Sequence, residues 1–535
     1  MTALRVTWWD KASYPEKYEA LYNYCKQDIR VERAKEQKLY ALSPAERQIQ
    51  LLDGRINRRG VGVDLPAARA ALHLVRAEQR RLDSEMGRLT EGVVSGCGRV
   101  AQLKDWLCDL GFSESIAGLD KMQIQEYLKR DDLDPRVRQG LLYRAEFAKS
   151  STAKLEALIN WACPDGRIRG MFQFHGAGQT GRWAGRGPQP QNFPRPRKEM
   201  TPAAQEEVMM WLGLVGQGNN LSDSIAAWPF AKYGSVLQVI SDCLRGFFVP
   251  APGYEFYVCD YASIEARVLA WLANDLKKIE AFKTHGKIYE MNAAIIFGKT
   301  LEQIIALGKD SFERFIGKCA ELALGYGGGA GAFLRFAEGF GVRLDEDPQV
   351  AEAKAEEIKA AWRRGHPRVV SLWYELEEAA VRAATGRGTE SAAGGRIKYK
   401  KANGYLWCQL PSGRTIAYPA PQVESTSFKG RTRHQLTYMG VDDFTKKWTR
   451  QRTYGGKLTE NVVQAASSCL LRNSLTRVEA RGWPVVLQVH DELVAEIASG
   501  SVELKEYEHE VCVLPGWAEG LPMAVEGWKG RRYRK

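Results

Sequence analysis

The sequence predicts an α/β chain of the α+β kind, divided into three or four subdomains. Three observations carry that expectation. A strand-forming run, Tyr254 to Cys259, leads into Asp260, after which Ile264, Val268, Leu269, Trp271 and Leu272 recur at helical spacing. A second apolar stretch, Val485 to Glu496, reads as two strands joined at His490-Asp491-Glu492. Elsewhere helical periodicity dominates, and 535 residues exceed one ordinary domain.

Lys and Arg outnumber Asp and Glu by 76 to 64, a net charge of +12, which favours an anionic partner such as nucleic acid. The ten Cys are scattered and no two form CxxC, so a reduced, cytoplasmic chain without structural zinc is expected. No apolar run reaches membrane-spanning length, and no membrane partner is expected.

In chain order, residues 18–40 form one amphipathic helix with Tyr24 and Asp28 a turn apart, locally no more than a polar face. Ser43 and Pro44 start the next helix, and Asp64 caps a long one from Pro66 to about Leu89. Polar helices continue to about residue 160, and the Lys149–Lys154 cluster of cations and hydroxyls suits either phosphate contacts or a solvated helix end. Residues 165–197 lose helical periodicity and are either a flexible linker or a Gly-rich segment that brings Arg182, Gln191 and Asn192 close to nucleic acid. A polar, helical stretch, 200–245, precedes the strand that ends in Asp260.

Residues 275–395 read as mostly helix. There Arg314, Lys318, Leu322 and Tyr326 fall one turn apart on a single stripe that ends in glycines. Two cations on one stripe repel in an isolated helix but suit a polyanion such as a triphosphate. Short strands follow around Leu410–Arg414, then a helix from about Leu458 to Ala480 with Glu460, Gln464 and Arg472. Acidic groups at the tip of an apolar hairpin are unfavourable unless a cation sits between them. Asp260 and Asp491, each at a strand end, together with the basic stripe, are the parts that two-metal phosphoryl transfer requires.

These residues carry a resemblance. Asp260-Tyr-Ala-Ser-Ile-Glu-Ala-Arg267 resembles motif A of the family A, polymerase I-like DNA polymerases. Arg314-x3-Lys318-x7-Tyr326-Gly327 resembles their motif B, and Gln488-Val-His490-Asp491-Glu492 their motif C. Thr180-Gly181-Arg182 with Gln191-Asn192 is similar to the template–primer segment that precedes motif A. The likeness runs from about residue 45 to the end and is strongest to bacteriophage and prophage members.

The resemblance implies a right-hand polymerase fold with an antiparallel palm sheet, helical fingers and a helical thumb. The thumb and connecting helices would span 46–164, the palm 165–274 and 396–535, and the fingers 275–395. Asp260, Asp491 and the Tyr261 carbonyl would hold two Mg²⁺ ions. Arg314 and Lys318 would grip the incoming dNTP, with Lys318 donating a proton to the leaving pyrophosphate. Leu322, Tyr326 and Glu265 would complete the nucleotide pocket, and Glu265 would exclude a 2′-hydroxyl. Arg182, Gln191, Asn192, Arg267, Gln464 and His490 would contact primer–template DNA. Glu492 is given a secondary role. The sequence departs from the family pattern at Leu322, where an aromatic is usual, at Ala262-Ser263, and at Glu460, where an amide is common.

Tyr24-x3-Asp28 then resembles the third motif of a proofreading 3′–5′ exonuclease domain, so residues 1–45 are expected to be the C-terminal remnant of one. The preceding acidic motifs are absent, and one Asp does not hold two metals. The expectation is that this chain alone does not proofread, through truncation or because a separate polypeptide carries the rest. Two rivals stand beside a phage replication polymerase. A single-subunit RNA polymerase is opposed by Glu265 and by the Glu after Asp491. An inactive DNA-binding prophage remnant is opposed by the intact carboxylates and cations.

Overall fold

The computed structural model describes residues 11–39, 41–113, 116, 118–149, 152–218, 229–428, 431–442 and 445–534. Tyr40 and the Ser150-Ser151 part of the Lys149–Lys154 cluster lie outside them. The chain divides into two compact units, Met1–Leu52 and Asp53–Lys535. The first contains α1 (Pro15–Glu36), which starts at a proline, with Glu16 in its first turn and Arg33 and Lys35 in its last. That charge order suits the helix dipole, and none of the helix's residues is buried. Helix α2 is Pro44–Arg59.

In the second unit, β1 (Val61–Val63) leads into α3 (Leu65–Leu89), where the Asp64 carboxylate accepts the Ala67 amide at 3.1 Å and caps the helix as expected. Helices α4 (Val100–Asp109), α5 (Lys121–Tyr127), α6 (Pro135–Ala148) and α7 (Thr152–Trp161) follow. Residues 165–197 are not a linker. They form β2 (Arg167–Ile168) and the hairpin β3 (Phe172–Ala177) and β4 (Arg182–Gly185). The 200–245 stretch is less polar than its sequence reading. Helix α8 (Pro202–Gly216) buries Val208, Met209, Trp211 and Leu212 and packs on α3. Helix α9 (Val236–Asp242) and β5 (Phe248–Val249) complete it.

Strand β6 (Tyr254–Tyr261) then crosses the core, and α10 (Ile264–Leu272) departs from its end. Ser263 joins the two with φ of 52°, a left-handed conformation that side chains other than glycine seldom adopt. Next come α11 (Leu276–Thr284), α12 (Ile288–Phe297), α13 (Leu301–Ala306), α14 (Phe312–Leu324), α15 (Ala330–Gly339), α16 (Pro348–Gly365) and α17 (Pro367–Thr385).

Strands β7 (Thr389–Ala392), β8 (Ile397–Ala402), β9 (Tyr405–Gln409) and β10 (Thr415–Pro419) make an antiparallel sheet in the order β10-β9-β8-β7. A second, three-stranded sheet of β11 (Gln422–Phe428), β12 (Arg431–Val441) and β13 (Trp448–Arg452) was not anticipated. Helix α18 (Gly455–Ala480) starts three residues before the expected Leu458. After it, β14 (Val485–Val489), β15 (Glu492–Ala498), α19 (Leu504–Cys512) and β16 (Val525–Gly530) complete the chain.

The sheet that matters for function has the order β14-β15-β6-β16, antiparallel throughout. Strand β14 is buried along its length, as are Phe256–Cys259 of β6. That burial is why these strands read as continuous apolar runs rather than alternating ones. Helices α18 and α19 cover one face. Among the described residues, no helix is long and apolar enough to cross a membrane.

Candidate active site

The register of the central sheet sets Glu492 directly opposite Asp260, so the ends of β6 and β15 coincide. His490 and Asp491 form the two-residue turn between β14 and β15. His490 has φ of 59°, which suits the first position of a tight hairpin turn. The Tyr261 amide donates to the Asp491 carbonyl oxygen at 3.2 Å, tying the hairpin tip to the end of β6. Two carboxylates 231 positions apart in the sequence, at 260 and 491, are thereby held at one edge of one sheet.

Glu492 points elsewhere. It is 1% exposed and accepts a hydrogen bond from the Tyr533 hydroxyl at 2.5 Å. Arg245 donates to that hydroxyl at 2.9 Å and to the Phe193 carbonyl at 3.0 Å. Burial, and then the neighbouring Glu492 carboxylate, push the Tyr533 phenol well above its ordinary pKa. Glu492 thus braces the turn from behind.

Beside Asp491 a cleft gathers Arg182, Gln191, Asn192, Gln488 and His490. The ring Nε2 of His490 lies 3.2 Å from the Gln191 carbonyl, and the Gln191 amide donates to the Gln488 carbonyl at 3.3 Å. These contacts dock the short helical turn Pro190–Asn192 on motif C. Gln488 received no role from the sequence. The residue is 2% exposed, yet its side-chain amide makes no hydrogen bond among the described residues and borders the cleft. A buried amide without a partner is costly, so its place here fits a group that meets an outside partner.

Two arginines hold the turn between β3 and β4 in place. Arg472 donates to the Gly181 carbonyl at 2.7 Å and lies over the Trp183 ring, 5.3 Å from its centroid. Arg414 donates to the Thr180 carbonyl at 2.8 Å and to the Ala465 carbonyl at 2.9 Å. Both were visible in the sequence, but without the fold neither could be assigned to this turn.

Glu265 is the junction of three segments. Its carboxylate accepts from the Arg182 guanidinium on β4 and from the Tyr326 hydroxyl, the latter at 2.9 Å. Burial, and then the Glu265 carboxylate, raise the Tyr326 phenol well above its ordinary pKa, so it stays a donor at neutral pH.

Tyr326 itself is not on the helix that the four-residue spacing predicts. Helix α14 ends at Leu324, and the chain turns through Gly325, Gly327 and Gly328. A Cβ on Gly328 would lie 2.0 Å from the Ala323 carbonyl oxygen, so the turn is too tight for any other residue. Arg314, Lys318 and Leu322 do share one face of α14. Arg314 pairs with Glu290 at 2.6 Å, Lys318 lies over the Phe340 ring at 5.1 Å, and Leu322 is exposed.

Arg267 requires a correction. It is 6% exposed, donates to the carbonyls of Ala262 and Pro522, and stacks over Phe282. It therefore offers nothing to DNA and instead anchors the loop after Asp260. Gln464 donates to Glu460 at 3.3 Å, and Glu460 pairs with Lys457, so the two side chains form one polar line on α18. Tyr24 and Asp28 are exposed on α1, one turn apart.

The start of α18 is pressed against motif B. A Cβ on Gly456 would sit 2.0 Å from the Tyr326 carbonyl oxygen. Alanine is a better helix former than glycine by about 1 kcal/mol, but overpacking of this kind costs about 1–3 kcal/mol. Gly456→Ala is therefore expected to lower stability in denaturant unfolding by about 1–2 kcal/mol, and a variant as stable as the wild type would contradict the close packing of this glycine on the Tyr326 carbonyl.

Among the described residues, no group of three or more His, Cys, Asp and Glu gathers to hold a metal ion. The donors available are Asp260, Asp491 and the Tyr261 carbonyl, all hard oxygens. That set fits Mg²⁺, which commonly takes one or two protein carboxylates and fills its remaining positions with water and substrate phosphates.

Residues 117–403 match the profile of DNA polymerase family A. A DNA polymerase of Bacillus phage SP02 is 38% identical over 523 residues, covering 97% of this chain and 76% of the relative. DNA polymerase I of Aquifex aeolicus (strain VF5) is 28% identical over 153 residues, 28% of this chain and 26% of that protein. Among solved structures, the POL domain of Pol1 from M. smegmatis, in complex with DNA primer-template and dNTP, superposes with a TM-score of 0.58 at 19% identity, covering 92% of this chain and 70% of that one. With more than half of the chain matched by the family profile, and that phage relative matched over most of both chains, the chain belongs to DNA polymerase family A.

Proposed function

We propose that this DNA-directed DNA polymerase extends a DNA primer on a DNA template with dNTPs, in phage replication, through two divalent cations held by Asp260, Asp491 and the Tyr261 carbonyl. The observation that carries the reading is the Tyr261–Asp491 tether, which brings both carboxylates to one sheet edge beside the cleft. When bound, two such ions activate the primer hydroxyl and stabilise the leaving oxygens. The protein's own task is then to place the reactants and neutralise phosphate charge.

Arg314 and Lys318 project from the same face of α14 and would meet the triphosphate, with Glu290 holding Arg314 until a stronger anion replaces it. Lys318 is the proposed proton donor to pyrophosphate. Arg182, Gln191, Asn192, Gln464 and His490 are the proposed DNA contacts, and Leu322 and Tyr326 the proposed borders of the nucleotide pocket. The fingers would be 275–395, the thumb with its connecting helices 46–164, and the palm the two remaining stretches from 165 onward.

Glu265 would discriminate against the 2′-hydroxyl, held in position by Arg182 and Tyr326. Glu265→Ala is expected to reduce the preference for dNTP over rNTP by roughly 100-fold, the order of discrimination a pocket reaches against an analogue that adds one hydroxyl. Single-nucleotide incorporation with each substrate measures it. An unchanged ratio would remove Glu265 from this role.

A further inference from the structure

We propose that the outer face of the β11–β12–β13 sheet is a landing surface for the single-stranded template ahead of the cleft. The segment that folds into this sheet is strongly basic. Between Gln422 and Arg452 lie Lys429, Arg431, Arg433, Lys446, Lys447, Arg450 and Arg452, against Glu424, Asp442 and Asp443.

Pairing sorts its side chains onto two faces. Leu436 and Tyr438 occupy one face, with Leu436 1% exposed and Tyr438 edge-on to Tyr418 of β10 at 5.0 Å. That face packs on the body of the protein. The other face carries Trp448, Arg450 and Arg452, opposite Val441, Met439 and Thr437 in register; Thr437 is buried beneath Arg450, which donates to its hydroxyl at 3.1 Å, and Arg452 pairs with Glu424 at 3.6 Å. Trp448 is 58% exposed and Val441 56%. Alternate residues on a strand stand about 6.8 Å apart, so one ring and two cations follow one another along the strand, each cation held by a protein partner that a phosphate would have to replace.

A row of lysines and arginines alone would be an ordinary solvated face. Trp448 and Val441, directly opposite in register, leave an aromatic ring and an aliphatic side chain exposed together beside those cations. Cations that track phosphates, combined with an aromatic face on which bases stack, are the chemistry that recognises single-stranded nucleic acid. A duplex supplies phosphates but hides its base faces, so Trp448 would have nothing to stack on.

The sheet also leads in the chain to the turn at Tyr326. Only Thr453 and Tyr454 separate β13 from α18. Tyr454, 44% exposed, packs beside Gly327, and Gly456 lies against the Tyr326 carbonyl. A strand lying along the sheet thus leads to the turn where the nascent base pair is expected.

The inference rests on the polymerase reading, and the experiment separates the two. Binding of wild type, Trp448→Ala and the triple variant Lys446→Gln/Lys447→Gln/Arg452→Gln is measured by fluorescence anisotropy. The probes are primer–templates with a template overhang of either about 2 or about 16 nucleotides, the latter near the upper site size for such surfaces. All four positions are exposed, and circular dichroism confirms folding. On the long overhang, Trp448→Ala is expected to bind about tenfold more weakly. The triple variant is expected to lose about 2 from the slope of log affinity against log salt. On the short overhang both stay within about twofold of wild type. Equal losses on both probes, or none on either, would overturn the inference, and no loss on either would leave a protein as the occupant of this face. If the wild type extends no primer, the polymerase reading fails, while the overhang dependence of binding still decides the surface.

Discussion

Asp260→Ala and Asp491→Ala are each expected to abolish primer extension, with a loss of about 10³-fold or more in rate. The reasoning is electrostatic. Each carboxylate stands at the sheet edge defined by the Tyr261–Asp491 tether, where the proposed metal ions would be held. Loss of metal binding removes several kcal/mol of transition-state stabilisation, and about 4 kcal/mol corresponds to roughly 10³-fold. Neither substitution empties the core, so the folded state and binding to primer–template persist. Rapid-quench extension with Mg²⁺, alongside a binding titration, separates the two effects. Extension retained within about tenfold by either variant would remove that carboxylate from the chemistry.

The second large effect is on stability. Lys278→Met is expected to destabilise the protein by about 3–5 kcal/mol in denaturant unfolding. Lys278 is fully buried on α11, and its Nζ lies 2.5 and 2.7 Å from the two carboxylate oxygens of Glu321 on α14. Asn292 donates to the same carboxylate at 2.9 Å and lies 2.9 Å from His366 Nε2, while Asp275 lies 3.6 Å from His366 Nδ1. Removing the lysine leaves Glu321 as a buried charge without its counter-ion, which costs far more than a surface pair is worth. Lys278→Met combined with Glu321→Leu removes both charges and is expected to recover most of the loss. A double variant as unstable as the single one would contradict this account.

The same network gives stability a definite pH dependence. Burial pushes the Glu321 carboxyl up, but Lys278, then His366 and Asn292, outweigh it and hold the group below its ordinary value. Asp275 is likewise held down, chiefly by His366, against the effect of burial. A carboxyl depressed in the folded state stabilises the protein above its unfolded pKa, and that contribution is lost as pH falls through the folded value. The contribution is therefore complete near neutrality and is lost only on acidification below about pH 4.

Much of the site was legible because its residues are local to strong patterns. An apolar run that stops at an acidic residue, followed by helical spacing, located Asp260. An apolar hairpin with an acidic tip located Asp491. Arg267 was misplaced for a physical reason, since its burial is decided by the Pro522 carbonyl, 255 residues along the chain. Tyr326 was assigned to α14 because the four-residue spacing continues through glycines that in fact end the helix. The Lys278–Glu321 pair joins residues 43 apart on different helices, and neither residue sits in a motif. Arg414 and Arg472 act on backbone carbonyls of a distant turn, and a carbonyl acceptor leaves no mark in the sequence. The β11–β12–β13 sheet escaped notice because its strands are basic and half-exposed rather than apolar.

The most direct test of the central claim is single-nucleotide addition by the wild-type chain to a recessed primer, with each of the four template bases in turn. The account predicts Mg²⁺-dependent addition of the complementary dNTP, rejection of the matching rNTP and no addition to a blunt primer. Failure to extend any recessed primer that the protein nevertheless binds tightly, or equal use of rNTP and dNTP, would contradict it.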